Sequence, residues 1–146
     1  MKAEKIFTSE VKTQIVKAIE QAELATSGEI RLHVDDRCKD EVLNRAAFIF
    51  EKLAMHKTEA RNGVLFYVAT EDRKFAILGD VGINEKVADD FWDEVKDIVI
   101  GSFKTGNYSE GLSAGILKAG EQLKAHFPYQ DDDVNELDNE ISFGND

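Results

Sequence analysis

One cysteine, one proline and no long apolar run in 146 residues set the first limits on this chain. Lone Cys38 leaves no internal disulfide to form and agrees with a reducing compartment. Lone Pro128 leaves most of the chain able to form regular structure. No apolar stretch approaches the roughly 20 residues of a membrane-spanning helix, so no membrane partner is expected. The opening MKAEKIFTSE has no apolar signal core, and a cytoplasmic protein is the expectation. Also missing are G-x-G-x-x-G, G-x-x-x-x-G-K-[ST] and G-x-S-x-G, which leaves nucleotide-fold and hydrolase readings without support. His33, His56 and His126 are scattered without H-E-x-x-H or another close ligand spacing, so zinc is not expected.

Basic residues are scarce relative to acids. There are 29 Asp and Glu against 18 Lys and Arg, a net charge of −11. Asp131, Asp132, Asp133, Glu136, Asp138, Glu140 and Asp146 crowd the last residues, where no Lys or Arg occurs. Without those acids the body carries 22 acids against 18 bases, or −4. Such a surface repels nucleic acid and anionic membranes; cations, or a basic protein surface meeting the acidic tail, are the favoured partners.

What is present reads as one α/β domain over residues 1–130, followed by an acidic, flexible tail over 131–146. Ser9 with Val11, Ile15, Ile19 and Leu24 predicts a first helix over 9–26. Glu29 to Val34 alternates as a strand, with Glu29, Arg31 and His33 on its more polar side. Asp40 can cap a second helix running to about Lys57. Two apolar runs, Val64 to Ala69 and Phe75 to Leu78, flank the polar turn Glu71-Asp72-Arg73 and predict a hairpin. Asn84 opens a third helix, in which Phe91 and Trp92 read most simply as core, and residues 109–126 form a fourth. This order predicts a three-layer α/β/α sandwich, a small mixed sheet with helices on both faces. The first two strands should be parallel, because a strand–helix–strand step is nearly always a parallel crossover.

Parallel strands bring their C-terminal ends to one rim, where open α/β sheets bind ligands. Asp35 and Asp36 end the first strand, and Glu71 and Asp72 follow the second. Hard cations such as Ca²⁺ and Mg²⁺ seek several such oxygens. The simpler alternative is a solvated rim, with Arg37 and Arg73 neutralising the acids and Asp36 or Asp40 capping the second helix. A separate candidate pairs Asp80, held between Gly79 and Gly82 near Asn62 and Glu29, with Asp89. Its alternative is a plain turn in which Asp80 accepts backbone hydrogen bonds. Cys38, beside Arg37 and Lys39, has no histidine with a route to it. The tail places Asp131, Asp133 and Asn135 at EF-hand spacing, but Glu136 and Ser142 stand where that loop needs Gly and Glu. Leu137, Ile141 and Phe143 are available to dock on the body or on a partner.

Several stretches in order carry a resemblance. They are Ser27-Gly28-Glu29-Ile30, then Asn62-Gly63-Val64-Leu65 through Arg73-Lys74-Phe75-Ala76-Ile77 to Gly79-Asp80-Val81-Gly82-Ile83. Phe103-Lys104-Thr105-Gly106, Glu110-Gly111-Leu112, Gly115-Ile116 and His126-Phe127-Pro128 follow, and Asn135-Glu136-Leu137 to Phe143-Gly144 resembles a bacterial ending. Together they resemble the TPM domain family, which includes thylakoid-lumen proteins linked to photosystem II repair and many bacterial proteins. The resemblance implies an α/β/α sandwich, divalent-cation binding, calcium above all, and, through the plant branch, acid phosphatase activity. No nucleophile motif or Asp-x-Asp signature at a strand end accompanies it here. The expectation is therefore a module binding Ca²⁺ or Mg²⁺ weakly through Asp35, Asp36, Glu71 and Asp72, with Asp80 and Asp89 apart. A metal-dependent phosphomonoesterase and a non-catalytic protein-interaction or quality-control partner are the alternatives.

Overall fold

The computed structural model describes residues 1–129 and 139–144. Its strands are β1 (Glu29–Asp35), β2 (Gly63–Ala69), β3 (Lys74–Gly79) and β4 (Ser142–Phe143). Its helices are α1 (Ala3–Ile6), α2 (Ser9–Glu23), α3 (Val42–Lys52), α4 (Val81–Asn84), α5 (Phe91–Phe103) and α6 (Tyr108–His126), with a 3₁₀ turn at Met55–Lys57. The sheet order is β3-β2-β1-β4. β1 is parallel to both β2 and β4, as the crossover argument requires for the first pair, and β2–β3 is the antiparallel hairpin.

Strand alternation divides the core into two layers. Val64, Phe66 and Val68 join Ile30, Leu32 and Val34 under α2, α5 and α6. Leu65, Tyr67 and Ala69 face the other way, against Ala46, Ile49 and Phe50 of α3 and against Met55. All of β2 is therefore buried, which explains why its sequence is a continuous apolar run. Each large side chain so buried contributes about 1.5–3 kcal/mol. The chain is thus a three-layer α/β/α sandwich. Helices α2 and α6 meet closely at Gly120, where an added Cβ would stand 2.7 Å from that of Ala22. Among the described residues, no helix is long and apolar enough to cross a membrane.

Element ends differ from the sequence reading for local reasons. Thr8, not Ser9, caps α2, accepting from the Val11 amide. Glu41, not Asp40, caps α3 through the Asn44 amide. Helix α3 stops at Lys52 because Ala54 turns left-handed (φ 59°), and the 3₁₀ turn then buries Met55. Asn84 ends the short α4 and α5 begins only at Phe91. The Asn84 side chain instead donates to the Gly79 carbonyl at 2.8 Å and accepts from Trp92 Nε1 at 2.7 Å.

The C-terminal segment lies on the open edge of β1. Gly144 N donates to the Val34 carbonyl at 2.9 Å, and Ile141 packs on the core. Phe143 meets Phe7 edge-on at 6.2 Å, with Lys12 5.0 Å from its ring centre. Leu137 and the acidic run before it lie outside the described residues.

Candidate functional site

The parallel register Asp35↔Ala69 makes the next residues of both strands meet. Thr70 N donates to the Asp35 carbonyl at 3.0 Å, and Glu71 N to that of Asp36 at 2.7 Å. These bonds pin the end of β1 to the β2–β3 turn and place Asp36, Glu71 and Asp72 on one rim. Asp36 Oδ1 accepts from the Ala3 amide at 2.7 Å, so the missed helix α1 is tethered there. Asp72 Oδ2 accepts from the Cys38 amide at 2.7 Å. Glu71 pairs with Arg37 at 2.9 Å, and the Arg37 side chain is 62% exposed. Cys38 itself is buried, its Sγ donating to the Asp40 carbonyl at 3.4 Å.

Asp35 does not join them. Strand alternation turns it onto the α3 face, where it is fully buried. Arg45 Nε donates to its Oδ2 at 2.9 Å and Nη2 to Oδ1 at 3.3 Å. The Tyr67 hydroxyl donates to Oδ2 at 2.5 Å, and His33 Nε2 lies 2.9 Å from Oδ1. Burial pushes the Asp35 carboxyl up, but the bonds from His33, Arg45 and Tyr67 outweigh it and hold the group well below the ordinary carboxylate range. Burial and the neighbouring carboxylate push the Tyr67 phenol the other way, so it stays protonated and donates. His33 stacks on Tyr67 with its ring plane 8° from parallel, and its Nδ1 lies 2.7 Å from Ser142 Oγ. Gly144 closes the cluster: a Cβ there would collide with Asp35 Oδ1.

Sequence reasoning missed this cluster, although two signals stood in the chain. Tyr67 lies inside a fully apolar strand, where a phenol needs a hydrogen-bond partner. Arg45 lies between Val42, Ala46 and Ile49 on the buried face of α3, where a guanidinium needs a carboxylate. His33, placed on the more polar side of β1, is only 5% exposed, with Tyr67 stacked on its ring, Asp35 on one ring nitrogen and Ser142 of the C-terminal segment on the other.

At the opposite edge Asp80 caps α4, accepting from Val81 N at 2.8 Å. It also takes Arg61 Nε and Nη2, both at 2.7 Å. Asp89 is exposed in the turn before α5, and no hydrogen bond among the described residues joins it to Asp80. A third acidic grouping was not read from sequence. Glu23 Oε2 accepts from the Ile30 amide at 2.8 Å and is hydrogen-bonded to Glu29 and Asn139. Burial, reinforced by Glu20, pushes the Glu23 carboxyl up to about 7 against the lowering effect of those hydrogen bonds.

The donor chemistry of Asp36, Glu71 and Asp72 suits a hard, oxygen-seeking cation. Asp36 and Asp72 each give one oxygen to a backbone amide and retain the other. Asp35 and Asp80 are instead matched to arginines. Among the described residues, no group of three or more His, Cys, Asp or Glu is already arranged around one point.

Comparison with known proteins gives the family. No functionally curated protein matches the chain. The solution structure of the BA42 protein of the psychrophilic bacterium Bizionia argentinensis is similar, at 48% identity and a TM-score of 0.89, over 98% of this chain and 99% of that one. The N-terminal domain of a protein from P. gingivalis shares the fold at 16% identity and a TM-score of 0.69, over 84% of this chain and 82% of its own. The N-terminal domain of cg2496 from Corynebacterium glutamicum does so at 13% and 0.65, over 84% of this chain and 78% of its own. The TPM domain model matches residues 1–122, and the chain belongs to the TPM domain family.

Proposed function

We propose that the protein is a weak divalent-cation module, taking Ca²⁺ or Mg²⁺ at the strand-end rim through Asp36, Glu71 and Asp72. One observation carries the reading: the Glu71 N to Asp36 O bond of 2.7 Å, which holds carboxylates from two separate loops at one edge. A bound cation would draw Glu71 from Arg37 and complete its shell with water and backbone carbonyls. That rearrangement and the exposure of the rim suit an affinity of about 10⁻⁵ to 10⁻³ M, the range of low-affinity calcium modules. Asp35, Asp80 and Asp89, considered alongside them as ligands, take no part in this arrangement. Calorimetric titration with CaCl₂ and MgCl₂ tests the reading. Asp36→Asn combined with Asp72→Asn keeps the acceptors for the Ala3 and Cys38 amides and should weaken binding about tenfold or more; unchanged affinity would reject this site.

The catalytic alternative at the same rim is a metal-dependent phosphomonoesterase, in which Arg37, released from Glu71, would hold the phosphate. Calcium- or magnesium-dependent turnover of an aryl phosphate, lost in Arg37→Gln, would favour it. An interaction role rests on the acidic composition of residues 131–138 and on the described residues either side of them, which pair with the body. Tyr129 N donates to the Ala25 carbonyl at 2.8 Å, and β4 pairs with β1. Pull-down of a basic protein by the full chain, but not after neutralisation of Asp131, Asp132 and Asp133, tests that role.

A further inference from the structure

Beside the rim, on the α5–α6 side of the sheet, lies a cleft of about 550 Å³ bounded by the β2–β3 turn and the α5–α6 connection. Its walls are apolar: Val68 and Phe75 from the hairpin, Phe103 and Tyr108 from the helices. Phe103 meets both aromatic neighbours, Phe75 edge-on at 5.7 Å and Tyr108 at a tilt at 4.6 Å. Its size falls in the range of small-molecule sites, roughly 300–1,000 Å³.

Three polar features converge on this apolar pocket. Thr70 is 3% exposed, and its Oγ1 is buried without a hydrogen-bond partner. Strand alternation continues from Phe66 and Val68 to Thr70, so its side chain lies on the cleft side of the sheet. A buried hydroxyl left unpaired carries a desolvation cost that a ligand acceptor would remove. Arg73 and Lys104 stand at the mouth, both exposed, and neither has an ion-pair partner among the described residues. Arg73 is held there by a left-handed backbone (φ 53°), an unusual conformation for a side chain of its kind. The third feature is the start of the 19-residue helix α6 at Tyr108, whose N-cap residue makes no side-chain capping bond. Asn107 Nδ2 instead donates to Thr105 Oγ1 at 3.1 Å. Unpaired first-turn amides favour negative charge.

We propose that this cleft binds a small amphipathic anion, an aromatic or branched carboxylate or phosphate ester. Its apolar body lies against Phe75, Phe103 and Tyr108. Its charged head is held by Arg73 and Lys104, and the Thr70 hydroxyl donates to it. The pair of unmatched cations is the more telling because the chain as a whole carries −11. The site is separate from the carboxylate rim and stands or falls without it.

The test uses ¹⁵N-labelled full-length protein titrated with 3-phenylpropionate, phenyl phosphate and the neutral 3-phenylpropanol. Saturable amide shifts at Thr70, Phe75, Phe103 and Tyr108 are expected from one or both anions, with a Kd on the order of 1 mM, as for a fragment-sized ligand. The preferred anion identifies the head group. The alcohol should bind at least about tenfold more weakly, a difference of about 1.4 kcal/mol. Thr70→Val supplies a control independent of ligand identity. Removing an unpaired buried hydroxyl should raise the melting temperature of the free protein while weakening anion binding about fivefold. Arg73→Gln with Lys104→Gln should remove the preference for anion over alcohol. Absence of saturable shifts with either anion overturns the proposal. So does equal binding of the alcohol, or Thr70→Val that lowers stability and leaves binding unchanged.

Discussion

Asp35 and Asp36 are neighbours in the chain and opposites in the fold. Asp35 points onto the α3 face, wholly buried, with Arg45, Tyr67 and His33 around it. Asp36 points to the rim, half-buried, and holds one backbone amide. One step of strand alternation separates a carboxylate fixed by the interior from one that solvent can reach. The contrast teaches where a cation can act. Removing a partner from a buried, paired carboxylate leaves charge uncompensated, whereas a rim carboxylate can exchange one partner for another at small cost.

The largest expected effect breaks the buried side. Asp35→Ala removes the buried carboxylate that accepts from Arg45 and Tyr67 and should cost about 3–5 kcal/mol. Chemical denaturation read by circular dichroism measures it, and a loss below about 1 kcal/mol would refute the importance given to the cluster. The same carboxyl sets an acid limit. Its folded value is depressed, so its contribution is present above the unfolded value near 3.8 and fades as pH falls below that toward the folded value. Arg45→Leu should therefore flatten the acid limb of a stability–pH profile.

Glu23 should work in the opposite sense. Its folded value is raised from 4.5 to about 7, so the folded state holds the proton longer than the unfolded state does. Stability should fall as pH rises from about 4.5 to about 7 and then level. Glu23→Gln, which keeps an acceptor for the Ile30 amide, should gain on the order of 2 kcal/mol at pH 8 and nothing at pH 4. Equal effects at both pH values would count against the shift.

Gly144→Ala sharpens the comparison from the C-terminal side. A Cβ would meet Asp35, so the segment should leave the edge of β1 at a cost of about 1–2 kcal/mol. Loss of the backbone NMR signature of β4, with the melting temperature lowered by a few degrees, is the expected result. Smallest of all, Asp36→Asn should change stability by less than about 0.5 kcal/mol while weakening Ca²⁺ binding.

The layers were legible because periodicity alone separates the two faces of β2, and the crossover rule then makes β1 and β2 parallel. The rim follows from the same logic, since parallel β1 and β2 end at one edge, where Asp36, Glu71 and Asp72 lie. Asp35 was grouped with them because adjacency in sequence hides the reversal of side-chain direction at each residue. Its true partners come from positions 45 and 67, one on a helix and one on the next strand, and such convergence depends on register and helix rotation. His33 is buried against Tyr67 of the next strand and by the docked terminus at Ser142, neither of which leaves a trace in the local pattern of β1. Asp80 lay where expected, at the end of β3, but its pairing with Arg61 required the left-handed turn at that arginine (φ 53°).

The most direct test is a ¹⁵N–¹H titration of the metal-free protein with CaCl₂, repeated with MgCl₂ and with Asp36→Asn. Saturable shifts at residues 36–38 and 71–73, reduced in the variant, with His33, Arg45 and Tyr67 unmoved, are the predicted result. Shifts centred on the Asp35 cluster or on Asp80, or no saturable shift at all, would contradict the division between a structural carboxylate and a cation-binding one.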